Sequence, residues 1–239
     1  MALVLGKEKY IRDIFNLAEA LCFDHADYER SYNIMRSLSL EPIDTKLESD
    51  ILSRLANLNR FWKRWKEAES QIMKAISLNS ENWFAQFVQV RYTADIGRKE
   101  EATLLYEQIE FPETREVRTL QQKLAAEVAI DFFEKAQSTC EVALSIRQDD
   151  AGTLYTKGIL ESKLDFYDKA IESFSCALVL RPDHPPARVE RGLAYIKLKN
   201  YDAARIDFQE ASRLSNGKAN QFDFEELFGL VSVKENACV

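Results

Sequence analysis

Apolar and polar positions alternate along this chain with two superposed periods, a short helical one and a long one of 34 residues. Alanine recurs at Ala68, Ala102, Ala136, Ala170 and Ala204, each 34 residues after the last. Seven residues later stands a second column of small or apolar residues, Ala75, Ile109, Ala143, Ala177 and Ala211. Between the two lies a larger one, Ile72, Tyr106, Cys140, Phe174 and Phe208. Trp65, Lys99, Phe133, Tyr167 and Tyr201 precede them as a mostly aromatic column. Spacings of three, four and seven place these columns on one face of a helix. Upstream, Ala56, Val90, Leu124, Gly158 and Gly192 are followed six residues later by Trp62, Ile96, Ile130, Leu164 and Leu198. This second set predicts a second helix in every unit.

Each unit is therefore expected to be a helix, a short turn and a second helix, in five in-phase copies: 49–82, 83–116, 117–150, 151–184 and 185–218. Small residues mark where two helices cross closely, because a larger side chain would push the backbones apart. The larger columns fill the space between pairs, so units too small to bury their own faces share one core. Residues 1–48 predict a degenerate N-terminal helix pair. Ile11, Ile14, Phe15, Ala18, Leu21 and Cys22 lie on its first helix, and Tyr32, Met35, Leu38 and Leu40 on its second. Residues 219–239 predict a capping helix, with Phe222, Phe224, Leu227, Phe228 and Val231 on one face, and a frayed tail.

This pattern resembles the tetratricopeptide repeat family. In 151–184 the matching residues are Leu154, Gly158, Leu164, Tyr167, Ala170, Phe174, Ala177, Leu180 and Pro182. In 185–218 they are Gly192, Tyr195, Leu198, Tyr201, Ala204, Phe208, Ala211 and Leu214. The three earlier units keep the period but lose Gly and Pro, and Lys99 departs from the aromatic column. The resemblance implies an all-α fold, a right-handed α-solenoid of antiparallel helix pairs with roughly six pairs in all. It also implies a non-enzymatic adaptor whose first helices line an inner face that holds an extended or helical segment of another protein.

Composition narrows this reading little further. The 239 residues are 46% hydrophobic and 30% charged, the balance of a folded chain. Only 7 Gly and 5 Pro disfavour folds built on many special turns. Lys and Arg number 32 against 39 Asp and Glu, and the net charge of −7 argues against a broad nucleic-acid surface. No apolar run is long enough to span a bilayer, and the short apolar start Met1–Gly6 meets Lys7, Glu8 and Lys9 at once, so no export signal is expected. Cys22, Cys140, Cys176 and Cys238 are widely separated and read as reduced thiols of a cytoplasmic protein.

Catalytic chemistry finds no foothold. There is no nucleophile motif and no phosphate-binding glycine pattern, so neither an enzyme nor a cofactor is expected. Cys22, Asp24, His25 and Asp27 resemble a metal cluster but read as a polar turn, since a structural site needs about four convergent ligands. The run Phe61-Trp62-Lys63-Arg64-Trp65-Lys66 could touch an anionic surface, yet Trp62 and Trp65 fall in columns that other units fill with core residues. His184 stands at a repeat junction and reads as structural.

The binding residues implied by the resemblance are Arg54, Asn57, Phe61, Phe84, Phe87, Arg91, Arg118, Gln121 and Gln122. Arginines interleaved with phenylalanines suit a peptide carrying carboxylates and apolar anchors. Farther along, the same face holds Tyr155, Thr156, Ile159, Val189, Glu190 and Leu193 and is less basic. The clamp that one subclass uses for chaperone C-terminal carboxylates is broken, its columns holding Ser53, Asn57, Val88, Arg118 and Gln122. Two alternatives stand beside the adaptor. One is self-association, the C-terminal helix entering the groove of a second copy; the other is a regulatory subunit.

Overall fold

The computed structural model describes residues 2–23, 27–111, 114–215 and 223–236. Among them it places α1 (Ala2–Phe23), α2 (Tyr28–Leu38), α3 (Thr45–Phe61), α4 (Trp65–Leu78), α5 (Trp83–Asp95), α6 (Lys99–Glu107), α7 (Val117–Ala129), α8 (Phe133–Ile146), α9 (Ala151–Lys163), α10 (Tyr167–Leu180), α11 (Pro185–Lys197), α12 (Tyr201–Ser215) and α13 (Phe224–Asn236). No described residue lies in a strand. The chain divides into two compact units. Unit 1 is Met1–Thr114 with Ala129–Asp131, and unit 2 is Arg115–Val128 with Phe132–Val239.

Every helix pair from α3 to α12 repeats the same local devices. The first helix of each pair ends on a residue in the left-handed conformation: Lys63, Gly97, Asp131, Asp165 and Lys199, with φ of 57°, 86°, 59°, 61° and 59°. These positions are 34 apart, and only Gly97 adopts such a φ without steric cost. The next amide closes the motif by reaching back five residues, Arg64 N–H to Asn59 C=O at 2.8 Å and Phe166 N–H to Glu161 C=O at 2.9 Å. A second column caps the following pair. Asn82, Asp150 and His184 accept the amide hydrogens of Ala85, Thr153 and Ala187 at 3.1, 2.8 and 3.0 Å.

Side chains at the crossing of paired helices are reciprocal in size. In unit 1, Ala56 and Ile72 share a core cluster with Ala68, Val88 and Tyr92. In unit 2, Leu124 shares one with Cys140. Where Phe174 or Phe208 is fully buried, the opposing helix carries Gly158 or Gly192. A methyl group built on Gly158 would stand 2.6 Å from Cδ1 and Cε1 of Phe174, well inside the 3.5–4.0 Å carbon contact distance. Burying such a ring stabilises the fold by roughly 1.5–3 kcal/mol.

The ends differ from the repeats. In unit 1, α1 begins at Ala2 and packs with α2 through Ile11, Phe15, Ala18, Met35 and Leu38 onto Leu47, Ile51 and Leu55 of α3. In unit 2, α13 lays Leu227 and Val231 on Val189, Phe208 and Ala211. Phe222 lies outside the described residues. Trp65 packs against Tyr92 with ring centroids 6.2 Å apart. Trp62 meets Tyr32 edge-on at 5.1 Å, with the Arg64 guanidinium 4.9 Å from the Trp62 ring. The aromatic residues of the run are thus engaged in packing, while Lys63, Arg64 and Lys66 are exposed.

Candidate peptide-binding face

In unit 1 the expected polar binding residues of α3 and α5 fall in two shielded groups, one around Arg54 and one around Asn57. Arg54 donates from Nε to Glu19 of α1 at 2.8 Å, and its guanidinium lies 3.5 Å from the centre of the Phe84 ring. Both members of that ion pair are largely shielded, with 17% and 13% of their side chains exposed. Asn57 Oδ1 receives Arg91 Nη1 at 3.4 Å and the Nε and Nη2 of Arg60 at 3.4 and 3.3 Å. Arg60 is ion-paired with Asp95. The carboxyl of Asp50, one turn before Arg54, is raised above its usual range by burial, which outweighs the opposing Arg54 charge.

The aromatic members have other duties. Phe84 and Phe87 are 5% and 1% exposed and belong to the core, Phe87 against Phe111 with centroids 5.4 Å apart. Only the Phe84 ring face that carries Arg54 bears on the polar groups. Phe61 is half-buried and packs on Tyr28 of α2 at 5.2 Å. Glu19, Arg60 and Asp95 complete these groups and were not among the residues expected from sequence. Glu19 sits on a helix out of phase with the 34-residue columns, so no column points to it.

In unit 2, α7 carries Arg118, half-buried, and Gln122, buried. Gln121 donates to the capping carboxylate of Asp150 and lies across Gly152, whose missing side chain leaves room for it. On α9, Tyr155 is held between the rings of Phe174 and His184, 6.0 and 5.0 Å away. Burial pushes the His184 imidazole down to about 3, so it is neutral and Nδ1 is available to accept the Ala187 amide. Ile159, Glu190 and Leu193 are half-buried on α9 and α11.

Among the described residues no group of three or more His, Cys, Asp and Glu could hold a metal ion, and Asp24 and His25 lie outside them. Cys22 and Cys140 are buried free thiols, the latter pushed up to about 11 chiefly by burial, and Cys176 is exposed. No helix among the described residues is long and apolar enough to cross a membrane.

Comparison with known proteins agrees with the repeat geometry. Residues 185–217 match the tetratricopeptide repeat family. No curated protein matches the chain. Among solved structures, TTC0263, a thermophilic tetratricopeptide repeat protein of Thermus thermophilus, superposes with a TM-score of 0.61 at 18% identity over 78% of this chain and 98% of that one. A chain of the APC/C Cut9–Hcn1 hetero-tetramer gives 0.61 at 18% identity over 91% of this chain and 42% of that one. Yeast Tom70 gives 0.52 at 15% identity over 95% and 46%. The chain thus spans less than half the length of the latter two, and at these identities the likeness is one of fold. No catalytic family is indicated. Helix pairs repeating every 34 residues, with the tetratricopeptide repeat model matched over residues 185–217, give this chain the all-α solenoid fold of tetratricopeptide repeat proteins.

Proposed function

We propose that this chain is a non-enzymatic adaptor that holds a segment of a partner protein against the faces of its first-of-pair helices. The observation that carries the reading is the two polar groups of unit 1. Arg54, Arg60 and Arg91 are held by Glu19, the Phe84 ring, Asn57 and Asp95, so their planar donors are oriented before any partner arrives. Preorganised guanidinium groups lose little conformational entropy on binding and suit carboxylate and main-chain carbonyl acceptors. Because Arg54 and Arg60 already have acidic partners, a strongly acidic segment must compete with Glu19 and Asp95. A mixed polar and apolar segment fits better. Arg118 and Gln122 of unit 2 belong to the same proposed set. Self-association through α13 is less favoured, since Leu227 and Val231 would first have to leave the core they share with Phe208.

The test is selection of binders from a displayed random peptide library on the full chain. Fluorescence anisotropy would then compare the wild type with the triple variant Arg54→Ala, Arg91→Ala, Arg118→Ala, shown by circular dichroism to keep its helices. Loss of binding in the folded variant supports the reading. Unchanged affinity, or no enriched peptide, overturns it.

A further inference from the structure

Residues 30–40 and 51–66 carry seven Lys and Arg and no Asp or Glu, in a chain whose net charge is −7. The fold of unit 1 brings these two stretches together at the turn between α3 and α4. Tyr28, at the start of α2, packs on Phe61 with ring centroids 5.2 Å apart, and Tyr32 meets Trp62 at 5.1 Å. The Arg64 guanidinium lies over both rings of the second pair, 5.8 Å from the centre of Tyr32 and 4.9 Å from that of Trp62. Arg64 thus spans α2 and the turn while remaining exposed. Lys63 precedes it in the left-handed conformation, and Lys66 stands in the first turn of α4; both are exposed. Arg36 is exposed one helical turn after Tyr32, on the stripe of α2 that Tyr28 and Tyr32 present to the turn.

Of the seven cations, Arg54 and Arg60 are ion-paired with Glu19 and Asp95. Arg36, Lys63, Arg64 and Lys66 form no ion pair with any described residue, Glu67 of α4 included. The equivalent turn one repeat on is different, for there Arg98 pairs with Glu101 and Lys99 with Asp131. Four exposed cations without counter-charges make a local positive field on an acidic protein. A bilayer or a nucleic acid would meet the repulsion of the whole molecule. A short segment responds to charges within about 8 Å, the Debye length at physiological ionic strength. Tyr32, Trp62 and Trp65 are half-buried and held by packing, so they offer a bilayer no apolar wedge. We infer that this edge of unit 1 is a second interaction surface, which docks an acidic segment of another protein through Arg36, Lys63, Arg64 and Lys66. Arg64, its flat face backed by two rings, supplies the planar two-pronged donor that suits a carboxylate. The surface belongs to a second-of-pair helix and a turn, so it stands apart from the first-of-pair faces and does not rest on the adaptor reading.

The test measures anisotropy of a fluorescein-labelled oligoglutamate peptide on the full chain, with oligoglutamine of equal length as the neutral probe. Wild type should bind the first and not the second, more weakly as salt is raised. Lys63→Glu and Lys66→Glu should each weaken binding about tenfold or more. Lys66→Glu places an acid in the first turn of a helix, which favours it, so this variant reads binding free of any folding defect. Lys199→Glu is the matched control: it occupies the same left-handed position four repeats on, makes the same change in net charge, and should weaken binding less than about twofold. Arg64→Lys keeps the charge, removes the planar fork, and should weaken binding several-fold. No binding of oligoglutamate, or equal weakening by Lys63→Glu and Lys199→Glu, overturns the assignment. Co-sedimentation with phosphatidylserine vesicles that is lost in Lys66→Glu, without oligoglutamate binding, overturns it in favour of a bilayer.

Discussion

The close approach at Gly158 predicts a substitution whose sign is opposite to helix propensity. Alanine in a helix interior is favoured over glycine by about 1 kcal/mol, so Gly158→Ala would stabilise an isolated α9. In the fold, the new methyl meets Phe174 at 2.6 Å on two ring carbons and 2.9 Å on a third. Relief requires a shift of about 1 Å. The ring is fully buried with Tyr155 packed beside it, so the helices must part instead. Overpacking of this kind costs about 1–3 kcal/mol, and the net effect after the propensity gain is a loss of up to about 2 kcal/mol. Gly229→Ala is the internal control, because a methyl there meets nothing within 4 Å, and it should stabilise by up to about 1 kcal/mol. Urea denaturation followed at 222 nm would measure both, together with Phe174→Leu and the double variant. Trimming the ring makes room for the methyl, so the double variant should lose about 1 kcal/mol or more less than the sum of the single losses. Gly158→Ala that stabilises as Gly229→Ala does, with additive behaviour alongside Phe174→Leu, would refute the close crossing.

Other expectations follow from single features. His184 has a folded-state value of about 3 against an ordinary 6.5, so its stabilisation is complete above pH 6.5 and is lost as pH falls toward 3. Between pH 6.5 and 5 this amounts to about 2 kcal/mol, and His184→Asn, which keeps a capping acceptor, should flatten that slope in denaturant titrations. Glu190 behaves in the reverse sense. Its value is raised to about 7 from 4.5, so its contribution is present below pH 4.5 and lost as pH rises through 7; Glu190→Gln should melt higher than wild type at pH 8 and converge with it near pH 4. Lys199→Gly relieves a left-handed φ of 59° and should stabilise by about 0.5–1 kcal/mol in the same denaturation assay. Arg54→Ala strands the shielded Glu19 carboxylate and should cost about 2–3 kcal/mol, with Glu19→Gln, Arg54→Met recovering much of it.

The core of the repeats was legible because its chemistry is one-dimensional. The Ala68 to Ala204 column and the small column holding Gly158 follow from spacing and size alone, whereas the seating of Phe174 against Gly158 is seen only in the fold. The capping column was hidden because Asn82, Asp150 and His184 share an acceptor and no resemblance in sequence. Likewise the left-handed column is filled by Lys, Gly and Asp, since what it conserves is a backbone angle. Phe84 and Phe87 occupy the helical phase of the binding face, and phase alone does not tell a groove residue from a core one. Phe87 is taken up by Phe111, whose place depends on how the chain returns after α6, and Phe84 gives only one ring face to Arg54. The Arg54–Glu19 pair joins a helix in phase with one outside it, a long-range fact that no periodic pattern contains.

The central claim is that a partner segment lies against the first-of-pair helices and not on the outer surface. The most direct measurement is anisotropy of a labelled library-selected peptide with Arg91→Glu, on that face, and Met73→Glu, on the second helix of its pair and 59% exposed. The account predicts about tenfold or greater weakening for Arg91→Glu and less than about twofold for Met73→Glu. Equal affinity for Arg91→Glu and wild type, with weakening by Met73→Glu, would contradict it.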